Sequence, residues 1–297
     1  MADKTKDFPL NGWLVIDKPA GLSSAAVVAK VKRHTNARKV GHAGTLDPIA
    51  TGVLPLALGE ATKLTSYAMG NRKTYRFTVI WGEARDSDDS EGAVVKQSGV
   101  RPAVEDIKAA LVNFVGEISQ RPPVFSAIKV NGRRAYELAR RGEAPELAER
   151  NVNVFEYRLL SAQSDCAELE VVCGKGTYVR ALARDLAAYL GTCGYLSALR
   201  RTRVGMFDLA AAFSLDKLNE LVHSAAPENW LLPLEAPLDD IPAVAVMEGE
   251  AKRLRLGQAI RVPRQGDGEV LIKASGRAVG IGLLQAGELR PKRVFNL

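Results

Sequence analysis

The chain is poor in the residues that metal centres and disulfide frameworks need. Among 297 residues there are three cysteines and three histidines. Cys166, Cys173 and Cys193 are odd in number and form no Cys-x-x-Cys pair, which argues against a disulfide scaffold or a zinc knuckle. His34, His42 and His223 make no i, i+4 pair, so no histidine-based metal site is expected. No run of 18 apolar residues exists, so no helical membrane span is expected. The polar start, Met1 to Asp7, has no apolar stretch behind it of the kind a secretory signal carries. No Gly-x-Ser-x-Gly elbow is present for a serine nucleophile. These absences point to a cytoplasmic protein without metal.

What is present is an ordinary globular composition with a basic bias. Apolar residues are 46%, charged residues 25% and the formal net charge is +7, which favours a polyanionic partner. Pro227, Pro233, Pro237 and Pro242 cluster beside Asp239-Asp240 and mark a boundary, giving units at 1–238 and 239–297. The second unit reads as a short helix at 251–256, closed by Gly257, and strand-like runs at 259–262, 269–273 and 277–284.

The first unit mixes strands and helices without regular βαβ alternation. Residues 14–16 read as a strand, and Ser23 or Ser24 can cap a helix to about Arg33. Tyr75, Phe77, Val79 and Trp81 alternate with polar residues and read as a half-buried strand. Val104, Ile107, Leu111, Phe114 and Val115 share a helical stripe. Residues 167–173 read as a strand that turns through Gly174-Lys175-Gly176 into a helix with Val179, Leu182, Leu186 and Leu190 inward. The fold class is α+β, with a mixed, mainly antiparallel central sheet, flanking helices and loops.

Two motifs invite over-reading. Gly174-Lys175-Gly176-Thr177 lacks the upstream glycine of a phosphate loop, so it is a strand-to-helix turn, with Thr177 at most near one phosphate. Asp86, Asp88, Asp89 and Glu91 lack the spacing of a calcium loop and read as a solvated acidic loop.

The informative stretch is Val40-Gly41-His42-Ala43-Gly44-Thr45-Leu46-Asp47-Pro48-Ile49-Ala50-Thr51-Gly52-Val53-Leu54-Pro55. Three glycines and two prolines in sixteen residues constrain an irregular loop. It can present the Asp47 carboxylate rigidly. Equally, Asp47 can cap a helix that begins at Pro48. Local pattern alone favours the cap.

This stretch resembles the catalytic motif of the TruB family of pseudouridine synthases, and other segments match in order. Asp17-Lys18-Pro19-Ala20-Gly21-Leu22-Ser23-Ser24 is similar to the family's N-terminal signature, and Lys73-Thr74-Tyr75-Arg76-Phe77 to its tyrosine strand. Residues 120–129, Gln-Arg-Pro-Pro-Val-Phe-Ser-Ala-Ile-Lys, resemble its double-proline segment, with Phe125 where Tyr is usual and Ile128 where Leu is usual. Gly174 to Arg180 resembles its arginine motif, and Leu199-Arg200-Arg201-Thr202 the segment after it. The C-terminal unit looks like the family's PUA-like RNA-binding domain.

The resemblance implies isomerisation of uridine to pseudouridine at position 55 of the tRNA T-loop, with no cofactor and no obligatory protein partner. Asp47 is then the nucleophile or base, and Arg180 the cation that holds and aims it. Tyr75 stacks on the target base, Tyr178 and Leu199 wall the pocket, and His42 stabilises the position the flipped base leaves. Lys18 supports the site or meets backbone phosphates. Basic residues in excess of folding needs include Lys129, Arg133, Arg134, Arg200, Arg201, Arg203, Lys252, Arg253, Arg255, Arg290, Lys292 and Arg293, many of which are expected to track T-arm phosphates. Arg140 and Arg141 are expected to end a helix at 135–141. Competing readings are an RNA chaperone using the same surface, a nucleoside glycosidase lacking its second carboxylate, and a guide-RNA-dependent synthase.

Overall fold

A computed structural model describes residues 10–143, 145–263 and 266–297. Met1 to Asp7 therefore lies outside the described residues. The larger part is built on a ten-stranded sheet. Its spatial order is Ala212–Phe213, Gly12–Lys18, Thr51–Leu58, Gly194–Val204, Lys73–Trp81, Cys166–Cys173, Arg150–Ala162 and Gly116–Gln120. Val40–His42 adds to Thr51–Leu58, and Phe207–Asp208 to Gly194–Val204. Two pairings are parallel and the rest antiparallel, so the sheet is mixed and mainly antiparallel.

One of the parallel joins has functional weight. Thr51–Leu58 meets Gly194–Val204 only through Thr51–Arg200 and Gly52–Arg201. On one side of this seam every pairing is antiparallel, on the other only the edge strand Ala212–Phe213 joins in parallel, and the seam itself is two residues long. The Asp47 loop runs directly into this seam. Gly52 sits at φ +100°, and a Cβ there would lie 2.2 Å from the Arg201 carbonyl oxygen, so only glycine lets the two halves close.

Alternation works as read on the Lys73–Trp81 strand. Tyr75, Phe77, Val79 and Trp81 are buried together on the face covered by the Val179–Tyr189 helix, which brings in Val179, Leu182 and Leu186. The Ser24–Thr35 helix is capped by the Ser23 hydroxyl, which accepts from the Ala26 N–H, and ends in a left-handed Asn36. The expected stripe at 104–115 is partly wrong. The α-helix stops at Leu111; Ile107 and Leu111 are buried and Phe114 packs on the core, but Val104, at the helix start, is exposed, and so is Val115, after a 3-10 turn at Val112–Phe114 that breaks the period. The helix expected at 135–141 ends at Ala139.

The C-terminal sheet has five strands, in the order Ala243–Val246, Gly268–Ala274, Arg277–Gln285, Glu288–Val294 and Ile260–Arg261, beside the Glu248–Arg255 helix. The first and fourth strands escaped the sequence reading: one is four residues long, the other carries Pro291 and three basic residues. The proline-rich stretch before this sheet is not a loose tether. Leu232 pairs with Trp13 through backbone hydrogen bonds of 2.9 and 2.7 Å, and the Trp13 indole N–H donates to the Leu234 carbonyl at 2.9 Å. Trp13, Val15, Leu64 and Phe207 share one hydrophobic cluster with Leu271, Ile281 and Phe295. At the same junction the Tyr67 hydroxyl meets the Glu269 carboxylate at 2.9 Å.

Candidate active site

The loop at 43–50 is not helical after Pro48, so Asp47 is not a helix cap. Its apolar residues anchor it: Ala43, Leu46 and Ala50 are buried, whereas the Asp47 side chain remains 32% exposed. The backbone is then tied from several directions. The buried Ser24 hydroxyl accepts from the Leu46 N–H at 2.8 Å and donates to the Leu46 carbonyl at 3.0 Å. The Lys18 ammonium, fully buried, donates to the Pro19, Leu22 and Pro48 carbonyls at 2.9, 2.7 and 3.1 Å. Those carbonyls occupy its three N–H groups, so Lys18 supports the loop and does not reach out to phosphate. Burial pulls its ammonium down to about 8, with Asp47 opposing the shift and Arg201 adding to it.

Arg180 comes to Asp47 from the first turn of the Val179–Tyr189 helix. It is 4% exposed, and its Nε stands 2.9 Å from Asp47 Oδ2. That contact is an ion pair whose N–H is not aligned on the oxygen. The remaining nitrogens fix the guanidinium elsewhere: Nη1 donates to the Ser87 carbonyl and Nη2 to the Phe125 carbonyl, both at 2.9 Å. Nη1 also lies 3.3 Å from Asp89 Oδ2. Phe125 thus contributes its backbone to the site, and exchanging Tyr for Phe leaves that contact intact.

The acidic stretch at 86–92 corrects the sequence reading. Asp86 and Glu91 are exposed as expected, but Ser87, Asp88 and Asp89 are buried. Asp89 accepts from the Ser87 hydroxyl at 2.6 Å and the Glu91 N–H at 3.1 Å, and Asp88 pairs with Arg184 at 2.8 Å. Arg180 and Arg184, one helical turn apart, each find a carboxylate here. Their i, i+4 spacing on a buried face was the available signal, because buried guanidinium groups need counterions.

Tyr178 starts the arginine helix. Its N–H and C=O are both held by the buried amide of Gln120, at 2.8 and 3.1 Å, and the Arg150 guanidinium lies 4.8 Å from its ring centre. Tyr75 is buried, and burial raises its phenol above the ordinary range while Arg201 pulls the other way. Leu199 is buried on the neighbouring strand, opposite Phe77, and its carbonyl accepts from the Thr51 hydroxyl at 3.4 Å. His42 is half-buried where the loop leaves its strand. Burial and the Arg201 charge lower its imidazole, and its buried Nδ1 has no hydrogen-bond partner among the described residues. The Gly174–Thr177 turn closes on itself, with the Thr177 hydroxyl donating to the Gly174 carbonyl at 3.2 Å.

The basic residues expected to meet phosphate are all at least partly exposed, with one exception. Arg201 is 1% exposed and faces inward. It is withdrawn from that group.

The model of the TruB family pseudouridylate synthase N-terminal domain matches residues 32–179, and two TruB C-terminal models match 180–239 and 242–295. The chain is 49% identical to the tRNA pseudouridine synthase B of Caulobacter sp. (strain K31) over all of both chains. The chain belongs to the TruB family. The tRNA pseudouridine synthase B of Rhodospirillum rubrum is 47% identical, again with full coverage of both chains. Among solved structures, a chain of an H/ACA RNP bound to a substrate RNA containing 2′-deoxyuridine superimposes with a TM-score of 0.75 and 23% identity. That match covers 96% of this chain and 85% of the other, and it supports the fold. As a member of the family the chain is a pseudouridine synthase, an isomerase, and among its described residues no helix is long and apolar enough to cross a membrane.

Proposed function

We propose that this TruB family synthase isomerises the uridine at position 55 in the T-loop of tRNA, with Asp47 as the reacting carboxylate. The observation that carries the reading is the pairing of a part-exposed Asp47 with a buried Arg180 whose other nitrogens are locked. A substrate can reach the carboxylate, while its partner cannot swing away.

The target base leaves the loop stack at a cost of a few kcal/mol. It enters a slot between Tyr75, Tyr178 and Leu199, where stacking returns about 1–3 kcal/mol. His42 stands by the gap it leaves. The N1–C1′ bond breaks, the base rotates, C5 bonds to C1′, and the proton that leaves C5 is matched by one gained at N1, so atoms and electrons balance between uridine and its isomer. The apolar walls keep out water that would hydrolyse a glycosyl intermediate. Arg180 holds the carboxylate in place, and Lys18 holds the loop beneath it.

The T-arm stem is the partner we assign to the exposed basic residues, and residues 239–297 serve as an RNA-binding module beside the catalytic unit. If about five phosphates are engaged, log K should fall with log salt at a slope of about −3.5 to −4.5. The setting is cytoplasmic and no further protein is required.

The test is to treat an unmodified tRNA transcript with the protein, label with carbodiimide, and map the reverse-transcription stop. One stop in the T-loop is expected; none, or one elsewhere, overturns the assignment. The chaperone reading is separated by Asp47→Asn, which should abolish the stop and leave tRNA binding within about threefold, a difference of about 0.7 kcal/mol.

A further inference from the structure

Arg201 is a buried cation whose three hydrogen bonds go to uncharged groups. Its Nε donates to the Val53 carbonyl at 2.7 Å, Nη1 to the Thr45 carbonyl at 3.3 Å and Nη2 to the Gly44 carbonyl at 3.1 Å. No carboxylate pairs with it among the described residues. An unpaired buried charge is expensive, by several kcal/mol, and a glutamine or methionine could fill the space more cheaply. Packing therefore does not account for it. Its neighbour Arg200, by contrast, turns outward and takes both oxygens of Asp17, at 3.0 and 2.7 Å.

The position of Arg201 is specific. In the register of the sheet it lies directly opposite Tyr75 on the adjacent strand. Opposed residues on one face have Cβ atoms about 4.5–5.5 Å apart. Its backbone also forms the seam with Gly52, where the Asp47 loop ends. The planar five-donor fork thus joins carbonyls that precede and follow Asp47, and its strand places it opposite Tyr75. Of the charges acting on that phenol, Arg201 exerts the largest effect, ahead of Asp47.

We propose that Arg201 is a positioning residue for the isomerisation: it locks the two ends of the Asp47 loop to each other and to Tyr75, fixing the carboxylate relative to the base-stacking ring. Arg180 aims the carboxylate, and Arg201 sets the frame in which it is aimed. This rests on the reading of Tyr75 as part of the base pocket, and the test separates the two.

The experiment is a double-mutant cycle under single-turnover conditions with a tRNA transcript, using Arg201→Lys, Arg201→Gln and Tyr75→Phe. Lysine keeps the charge but cannot reproduce the planar fork that joins the three carbonyls. Arg201→Lys is expected to bind tRNA within about threefold of wild type and to turn over about 30-fold or more slower, a loss confined to the catalytic step. Arg201→Gln should lose more. In the Tyr75→Phe background the Arg201→Lys penalty should shrink, because one of the things being positioned has lost its hydroxyl. A 3-fluorotyrosine at position 75 should show a changed fluorine resonance in Arg201→Lys. A rate within threefold of wild type overturns the proposal. So does a penalty of equal size in both backgrounds with an unchanged fluorine signal. Full activity of Tyr75→Phe alone overturns the Tyr75 reading instead. If Arg201→Gln does not fold, Arg201→Lys decides.

Discussion

The loop at 43–50 and the loop at 86–92 both bring aspartates to the Val179–Tyr189 helix, yet they treat the carboxylate in opposite ways. The Asp47 side chain is 32% exposed, whereas those of Asp88 and Asp89 are 12% and 5% exposed. In the first loop the backbone is held by other residues, Lys18, Ser24 and Arg201, so its carboxylate, paired with Arg180, is not what holds the loop together. In the second loop the carboxylates are themselves the fastening: Asp89 gathers Ser87, Glu91 and Arg180. A group that must react can be placed rigidly only if something else supplies the rigidity. Arg180 joins the two loops and carries the order of one to the other.

Neutralising each aspartate in turn should break this comparison most visibly. Asp47→Asn is expected to lower pseudouridine formation by at least about 1,000-fold, some 4 kcal/mol of barrier, with little change in unfolding free energy. Asp89→Asn is expected to lose both activity and stability, because it removes the buried charge that gathers the Ser87 hydroxyl and the Glu91 N–H and leaves Arg180 with only the part-exposed Asp47. Removing one partner of a buried pair costs about 3–5 kcal/mol. Urea unfolding and single-turnover assays on the two variants check this directly. Equal destabilisation by both would show that the division of labour is wrong.

The two loops also differ in how well the sequence reveals them. The Asp47 loop is dense in glycine and proline, which left a helix cap as the better local reading; only the resemblance of its extended motif pointed to a presented carboxylate. The strand bearing Tyr75 and the helix bearing Arg180 followed from periods of 2 and 3.6. The acidic loop was misread because a run of Asp and Ser looks solvated; what buries it is two arginines nearly a hundred residues away. Arg201 was misread for a related reason. Adjacent arginines on a strand point to opposite faces, so Arg200 and Arg201 could not both face RNA. Which one faced inward depended on register, and the register depends on the two-residue seam at Gly52. The break at Val112 depends on local turn geometry that the apolar stripe does not encode.

That seam gives a second, smaller test. Gly52→Ala places a methyl 2.2 Å from the Arg201 carbonyl oxygen at a φ of +100°, which alanine adopts only under strain. The strand must shift, and with it the end of the Asp47 loop. We expect about 2–3 kcal/mol of destabilisation and an activity loss beyond the unfolded fraction. Gly21→Ala, on the other side of the loop, also sits at positive φ but meets nothing within 4 Å, so it reports backbone strain without collision. If the two variants behave alike, close approach at the seam is not what Gly52 provides.

The smallest effect expected is a pH signature of the buried acidic loop that the exposed loop should not share. Burial drives the Asp88 carboxyl from 3.8 up to about 6, with Arg184 and Arg180 opposing the shift. The native state therefore holds the Asp88 proton more tightly than the unfolded chain does. The stabilisation this provides is complete below about pH 4 and is lost as pH rises through about 6, a change of about 3 kcal/mol at two pK units. Glu60, Glu170 and Glu269 are held below the ordinary range by their basic partners and act in the opposite sense, so the whole-protein curve masks the effect. Comparing wild type with Asp88→Asn isolates it. Asparagine does not titrate, and it tolerates the φ of +61° found at this position. Urea unfolding at pH 4.5 and 7.5 should show the variant gaining on wild type by about 2–3 kcal/mol as pH rises. A difference that stays constant with pH would mean that Arg184 outweighs burial and that Asp88 is as readily ionised as an exposed aspartate.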